Sequence, residues 1–182
     1  MLKKVTLVLT FVGLVSLIIP TNLLAQPYGY EGTQVCGMCH KTEKAGQQLK
    51  IWQESKHAQA YKTLLTPEAD KIAAEKGFKT KAAETKECLK CHASGYDVDK
   101  SLIGAKFKVE DGVQCETCHG AGSGYKAMAV MKNKDEAIKK GLVIHEDKEK
   151  FCKTCHNPES PNYKEFKFDE MWKKIEHKIP KG

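Results

Sequence analysis

The hexapeptide at 114–119, QCETCH, has three near-copies in the chain: VCGMCH, ECLKCH and FCKTCH. All eight cysteines fall into these Cys-x-x-Cys pairs, Cys36/Cys39, Cys88/Cys91, Cys115/Cys118 and Cys152/Cys155. A histidine follows each pair at once: His40, His92, His119 and His156. Zinc ribbons use such pairs but have no need of a histidine directly after each one. A disulfide scaffold does not need that histidine either. A c-type haem needs all three residues in this order. The two thiols add to the vinyl groups on the porphyrin, and the histidine turns under the ring to ligate the iron. The pattern predicts four covalently bound haems c, with the eight cysteines as attachment points and the four histidines as proximal ligands.

Of the seven histidines, three remain for the far side of the irons: His57, His145 and His177. Four irons therefore cannot all take a second imidazole, and at least one is open or carries methionine. His57 has Ala60, Tyr61 and Leu64 three, four and seven residues on, a stripe that faces inward on a helix. It is a distal-ligand candidate, as is His177, although His177 lies off the apolar stripe of its segment. His145, in GLVIHEDKEKF beside a charged run, reads as a surface residue and is retained only as a rival candidate.

The elements that must position these residues read as helices. Residues 48–65 are rich in helix formers, and Pro67 supplies a stop. PEADKIAAEKG begins a second helix with proline near its start and Gly77 at its end. MAVMKNKDEAIKKG is a third, and FKFDEMWKKIEHKIP a last one, with Phe168, Met171, Trp172 and Ile175 on one stripe. GAGSG reads as a loop that either lets backbone pass close to a haem or simply turns. NPESPN is a turn, and AKFKV offers one short hairpin arm. The fold class is mainly α, helices and loops wrapped around four haems with little strand. Large apolar side chains are sparse for a chain of this length, so the macrocycles themselves would form the interior. The motifs are separated by 47, 22 and 32 residues, too unequal for a solenoid of repeats.

MLKK followed by a 15-residue apolar run ending at Pro20 has the order of a secretory signal peptide. The run is short for a bilayer span, which needs about 20 residues. Residues 1–25 are read as the signal, and 26–182 as one tetrahaem domain, periplasmic or otherwise exported, with no stable membrane insertion once cleaved. The chain has a net charge of +7, yet no nucleic-acid-binding motif or basic–aromatic pattern accompanies it. Haem propionates would offset much of that charge.

CGMCHK, WQESKHAQA, CLKCHASGY, GVQCETCHGAG, FCKTCHNPES and FKFDEMWKKIEH follow one another in order. Together they resemble the tetrahaem cytochrome c-554 family, electron carriers first known from nitrification. The resemblance covers essentially the whole of 26–182. It implies a mostly helical fold with closely stacked haem pairs, three haems with two axial ligands, and a five-coordinate second haem on Cys88, Cys91 and His92. It implies His57 as distal ligand to the fourth haem and His177 to the third. In the family a histidine some ten residues after the third motif ligates the first haem. Here that region has none, and Met128 and Met131 stand nine and twelve residues on. Methionine ligation of the first haem follows as a hypothesis, with Met131 ahead of Met128 and His145 as the rival.

Two functions compete. One is a carrier that relays electrons between redox partner proteins. The other is an enzyme that reduces a small ligand, such as nitric oxide, at the open iron. The second needs a distal acid or base that the sequence does not name, and the carrier is favoured. A conducting filament of stacked subunits is a remote third reading that no feature favours.

Overall fold

The computed structural model describes residues 27–177. The expected signal segment 1–25 lies outside the described residues.

Ten short α-helices, joined by 3-10 turns and loops, make up the described residues. Strand is confined, among the described residues, to one isolated parallel bridge between Tyr30 and Ile103. The mainly α expectation therefore holds. The AKFKV segment does not form a hairpin arm; it runs as turn and loop into a 3-10 turn (Val109–Asp111).

Each Cys-x-x-Cys-His motif is built into or just after a short helix. These are α1 (Thr33–Gly37), α5 (Lys86–His92), α6 (Cys115–His119) and α9 (Lys148–Cys152). The local reason is the helical repeat: a histidine four residues after the first cysteine returns to the same face. At both ends of the chain that turn is closed by backbone bonds from His40 N–H to the Cys36 carbonyl (3.1 Å) and from His156 N–H to the Cys152 carbonyl (3.0 Å).

The long helix expected over 48–65 is instead three pieces: α2 (Gln48–Glu54), a 3-10 turn (His57–Gln59) and α3 (Ala60–Thr63). Ser55 breaks it. Its backbone is extended (φ −82°, ψ 160°), and its hydroxyl donates to the Trp52 carbonyl at 2.7 Å, in competition with the helix ladder. The second helix forms as expected, α4 (Pro67–Glu75), with Thr66 capping Ala69 N–H at 3.2 Å. The third is cut by Asn133, whose side chain caps Glu136 N–H at 3.1 Å. The result is α7 (Met128–Met131) and α8 (Lys134–Lys139). The last is only α10 (Phe168–Trp172), so His177 sits on non-helical chain.

The core is thin. Its buried apolar residues are Ala58, Leu64, Ala73, Ala82, Ala93, Phe107, Tyr125 and Ala137, mostly alanines. One small cluster joins Leu64, Ala73 and Ala82 where α4 meets α5. Large apolar side chains face outward instead, with Met38, Met128 and Leu65 each more than 60% exposed. A domain of this size ordinarily buries far more. The glycines of GAGSG pack tightly against protein: a Cβ on Gly120 would lie 2.7 Å from the Gly141 carbonyl oxygen, and one on Gly124 would meet the Tyr28 ring.

Candidate haem centres

Thiol contacts join the four motifs in twos, and Cys118 of the third also stands near Cys152 and Cys155 of the fourth. The Cys36 thiol hydrogen-bonds Cys115, joining the first motif to the third, and this contact pushes Cys36 up and Cys115 down. The Cys91 thiol hydrogen-bonds Cys155, joining the second motif to the fourth, and holds the Cys155 thiol down at about 6. The histidines pair the same way. His40 is near enough to His119, and His92 to His156, to disfavour protonation of the second ring in each case. All eight cysteines are free of disulfides.

Across these pairs two further imidazoles are placed opposite motif histidines. The rings of His57 and His156 stand 6.1 Å apart between centroids, inclined at 48°. Those of His119 and His177 stand 5.9 Å apart, inclined at 65°. Two imidazoles that share one metal stand about 6 Å apart, since each metal–nitrogen bond is about 2 Å and each ring centre lies about 1 Å behind its nitrogen. The separations fit an iron between each pair. Burial is the largest cause lowering the proton affinity of His57, His119 and His156, which keeps the neutral imidazole that a metal requires.

The outer nitrogens of two motif histidines are already held. His92 Nδ1 lies 2.9 Å from the Ala60 carbonyl and 3.0 Å from Thr63 Oγ1. His119 Nδ1 lies 3.3 Å from the Val143 carbonyl. Such contacts fix the ring and leave Nε2 for a metal. His40 Nδ1 is buried without a partner, a polar atom that a completed site would have to satisfy. His156 is held differently, its ring stacked on Phe166 at 4.7 Å and 12°.

His57 is aimed by its own backbone. Its carbonyl accepts Val113 N–H at 3.0 Å, and Trp52 Nε1 donates to the Val113 carbonyl at 2.7 Å. Gly112 lets the segments approach: at φ +76° only glycine sits easily, and a Cβ there would lie 2.6 Å from the His57 carbonyl oxygen.

His145 is not free at the surface. Its Nε2 lies 2.9 Å from the Cys118 carbonyl, and its ring stacks on Phe151 at 3.7 Å and 17°. It ties the end of the third motif to the residue before Cys152. Met128 is 64% exposed on α7, while Met131 is half-buried.

Sequence reasoning missed a set of buried polar residues that hold the motifs together. Gln114 Oε1 accepts Thr33 N–H at 3.0 Å, and its amide donates to the Lys108 carbonyl at 2.7 Å. The Ser94 hydroxyl accepts Gln114 N–H at 2.7 Å and bonds Thr117 Oγ1. Tyr125 donates its hydroxyl to the His119 and Gly120 carbonyls at 3.1 and 2.8 Å. No residue type or spacing marks these in one sequence, because their partners are distant along the chain.

Among the described residues no three His, Cys, Asp or Glu side chains converge on a common metal position. The paired cysteines stand as free thiols, each pair followed by its histidine, the donor set of a covalently attached haem. The chain is a c-type cytochrome. Residues 35–120, which hold the first three motifs and His57, match the family described as Cytochrome c554 and c-prime. It is also 28% identical over 185 aligned positions to Cytochrome c-554 of Nitrosomonas europaea, a relationship covering 84% of this chain and 75% of that protein. No solved structure matches it significantly. Haem c and electron transfer follow from this relationship.

Proposed function

We propose that this protein is an exported tetrahaem electron carrier that relays electrons between redox partner proteins. The observation that carries the reading is the pair of imidazole separations, 6.1 Å for His57 and His156 and 5.9 Å for His119 and His177. On this reading Cys152, Cys155 and His156 hold one haem, with His57 as its second ligand. Cys115, Cys118 and His119 hold another, with His177 opposite. Cys36, Cys39 and His40 hold the first, and Cys88, Cys91 and His92 the second. A bound haem supplies reversible one-electron chemistry at its iron.

The chain's own residues do three things for that chemistry. The histidine pairs close two coordination spheres, so that little rearranges when an electron arrives. Contacts between Cys36 and Cys115, and between Cys91 and Cys155, would set the attachment points of the first and third haems, and of the second and fourth, side by side. His145 and Phe151 bridge from the third motif to the fourth. For the first haem the bond to the Cys118 carbonyl occupies His145 Nε2 and favours methionine, with Met131 ahead of the more exposed Met128. The haem on Cys88, Cys91 and His92 is the one read as having an open iron.

Intact mass and haemochrome counting test the number of haems. Ferric EPR and carbon monoxide binding after reduction test the ligands. Four haems with one carbon monoxide site support the carrier with one open iron. Consumption of nitric oxide well beyond one per haem would shift the reading to the enzyme. Fewer than four haems would overturn the tetrahaem assignment.

A further inference from the structure

Glu116 lies between the two cysteines of the third motif and is 2% exposed. Its Oε1 accepts the N–H groups of Glu31 (2.8 Å) and Gly122 (2.7 Å), and its Oε2 accepts that of Gly32 (2.8 Å). All three partners are donors, so the site holds a group that only accepts, which is an ionised carboxylate. The fold makes room for it with glycines. Gly32 sits at φ +91°, and a Cβ on Gly122 would lie 2.9 Å from Oε1. Among the described residues an ion pair is recorded for Glu31, with Lys126 at 2.6 Å, and none for Glu116. The phenols of Tyr30 and Tyr125 are raised chiefly by burial, with the Glu116 charge contributing to both.

The carboxylate therefore locks the loop before α1 onto α6 and places a full negative charge at one spot. That spot adjoins Cys115, whose thiol touches Cys36. On the haem assignment proposed above, it lies beside the attachment points of two haems at once. We infer that Glu116 is a fixed buried anion that lowers the reduction potentials of the haems on the first and third motifs. Reduction adds one electron, delivered by a redox partner, to a ferric iron; no bond breaks and no proton is taken up. The added negative charge meets one already fixed nearby, in surroundings that screen it less than water does. Net charge and hydrogen bonding around a haem are among the levers that set its potential. The effect biases electrons away from the first and third haems and toward the second and fourth, the pair that includes His92.

The inference rests on the haem assignment, and the test separates the two. Haem content and intact mass of the wild type come first; absence of haem on the first and third motifs would remove both readings. A spectroscopic redox titration of Glu116→Gln then follows, on protein shown to carry its full haem complement. An upward shift in potential is expected in about half of the haem absorbance, with the other half unmoved. Glu116→Asp, which keeps the charge, is expected to stay near the wild type. Lys126→Gln, an exposed change that leaves Glu31 unneutralised, is expected to move the same half downward even if Glu116→Gln matures poorly. An unmoved titration of fully loaded Glu116→Gln would overturn the inference. So would an equal rise in Glu116→Asp, or no fall in Lys126→Gln.

Discussion

His57 and His156 face one another at 6.1 Å, the first on the 3-10 turn that interrupts a helix, the second at the end of the fourth motif. The interruption matters. A helix running unbroken through Ser55 would carry His57 round on the helical repeat. The extended residue resets its direction, and the Gly112–Val113 backbone holds it there. His57→Leu is expected to keep every haem but convert one low-spin ferric signal to high spin and add one carbon monoxide site. His177→Leu should do the same for a different haem. Unchanged EPR in either variant refutes that ligand.

His145 should behave otherwise. With Nε2 engaged by the Cys118 carbonyl and the ring stacked on Phe151, it is expected to support two motifs without ligating an iron. His145→Phe is expected to leave the haem count and spin states alone while costing about 1–2 kcal/mol in unfolding free energy, the range for a lost hydrogen bond to a part-buried group. Met131→Ala, by contrast, is expected to change the visible spectrum of one haem.

Gly112→Ala puts a Cβ 2.6 Å from the His57 carbonyl oxygen at a φ of +76° that alanine resists. Backbone strain of this kind costs about 1–3 kcal/mol. Thermal unfolding should fall accordingly, and part of the His57-linked low-spin signal should turn high-spin. A normal melting curve would show that the backbone there yields more readily than the packing implies.

Tyr125 gives a pH dependence of known sign. Burial is the largest cause holding its phenol above the ordinary value of 10.0. Above that pH the unfolded chain releases a proton that the folded chain keeps, so stability falls as pH rises from about 10 upward. Below it the contribution is complete. Tyr125→Phe should flatten this part of the alkaline slope, and should cost about 1 kcal/mol at neutral pH through the lost bonds to the His119 and Gly120 carbonyls. Chemical denaturation across that pH range would measure both.

What was readable in the sequence divides by range. The Cys-x-x-Cys-His turns are local, and residue type with spacing defines them completely. The helical class was readable too, from helix formers and from Pro67 with Gly77. Helix boundaries were not, because Ser55 and Asn133 cut their helices by side-chain bonds that composition does not announce. The association of Cys36 with Cys115, and of Cys91 with Cys155, depends on contacts across long stretches of chain. Gln114 and Glu116 sat in plain view beside the third motif, but their partners, Thr33, Gly32 and Glu31, lie far upstream.

The order of the motif contacts has a consequence for how the molecule can be assembled. First touches third and second touches fourth, so the two units are interleaved along the chain. No single cut yields two self-sufficient two-motif modules, since every point between the first and fourth motifs lies inside at least one pairing. A fragment ending before Cys115 would carry two motifs, each missing its neighbour. Both halves of the chain are therefore needed to complete either pairing.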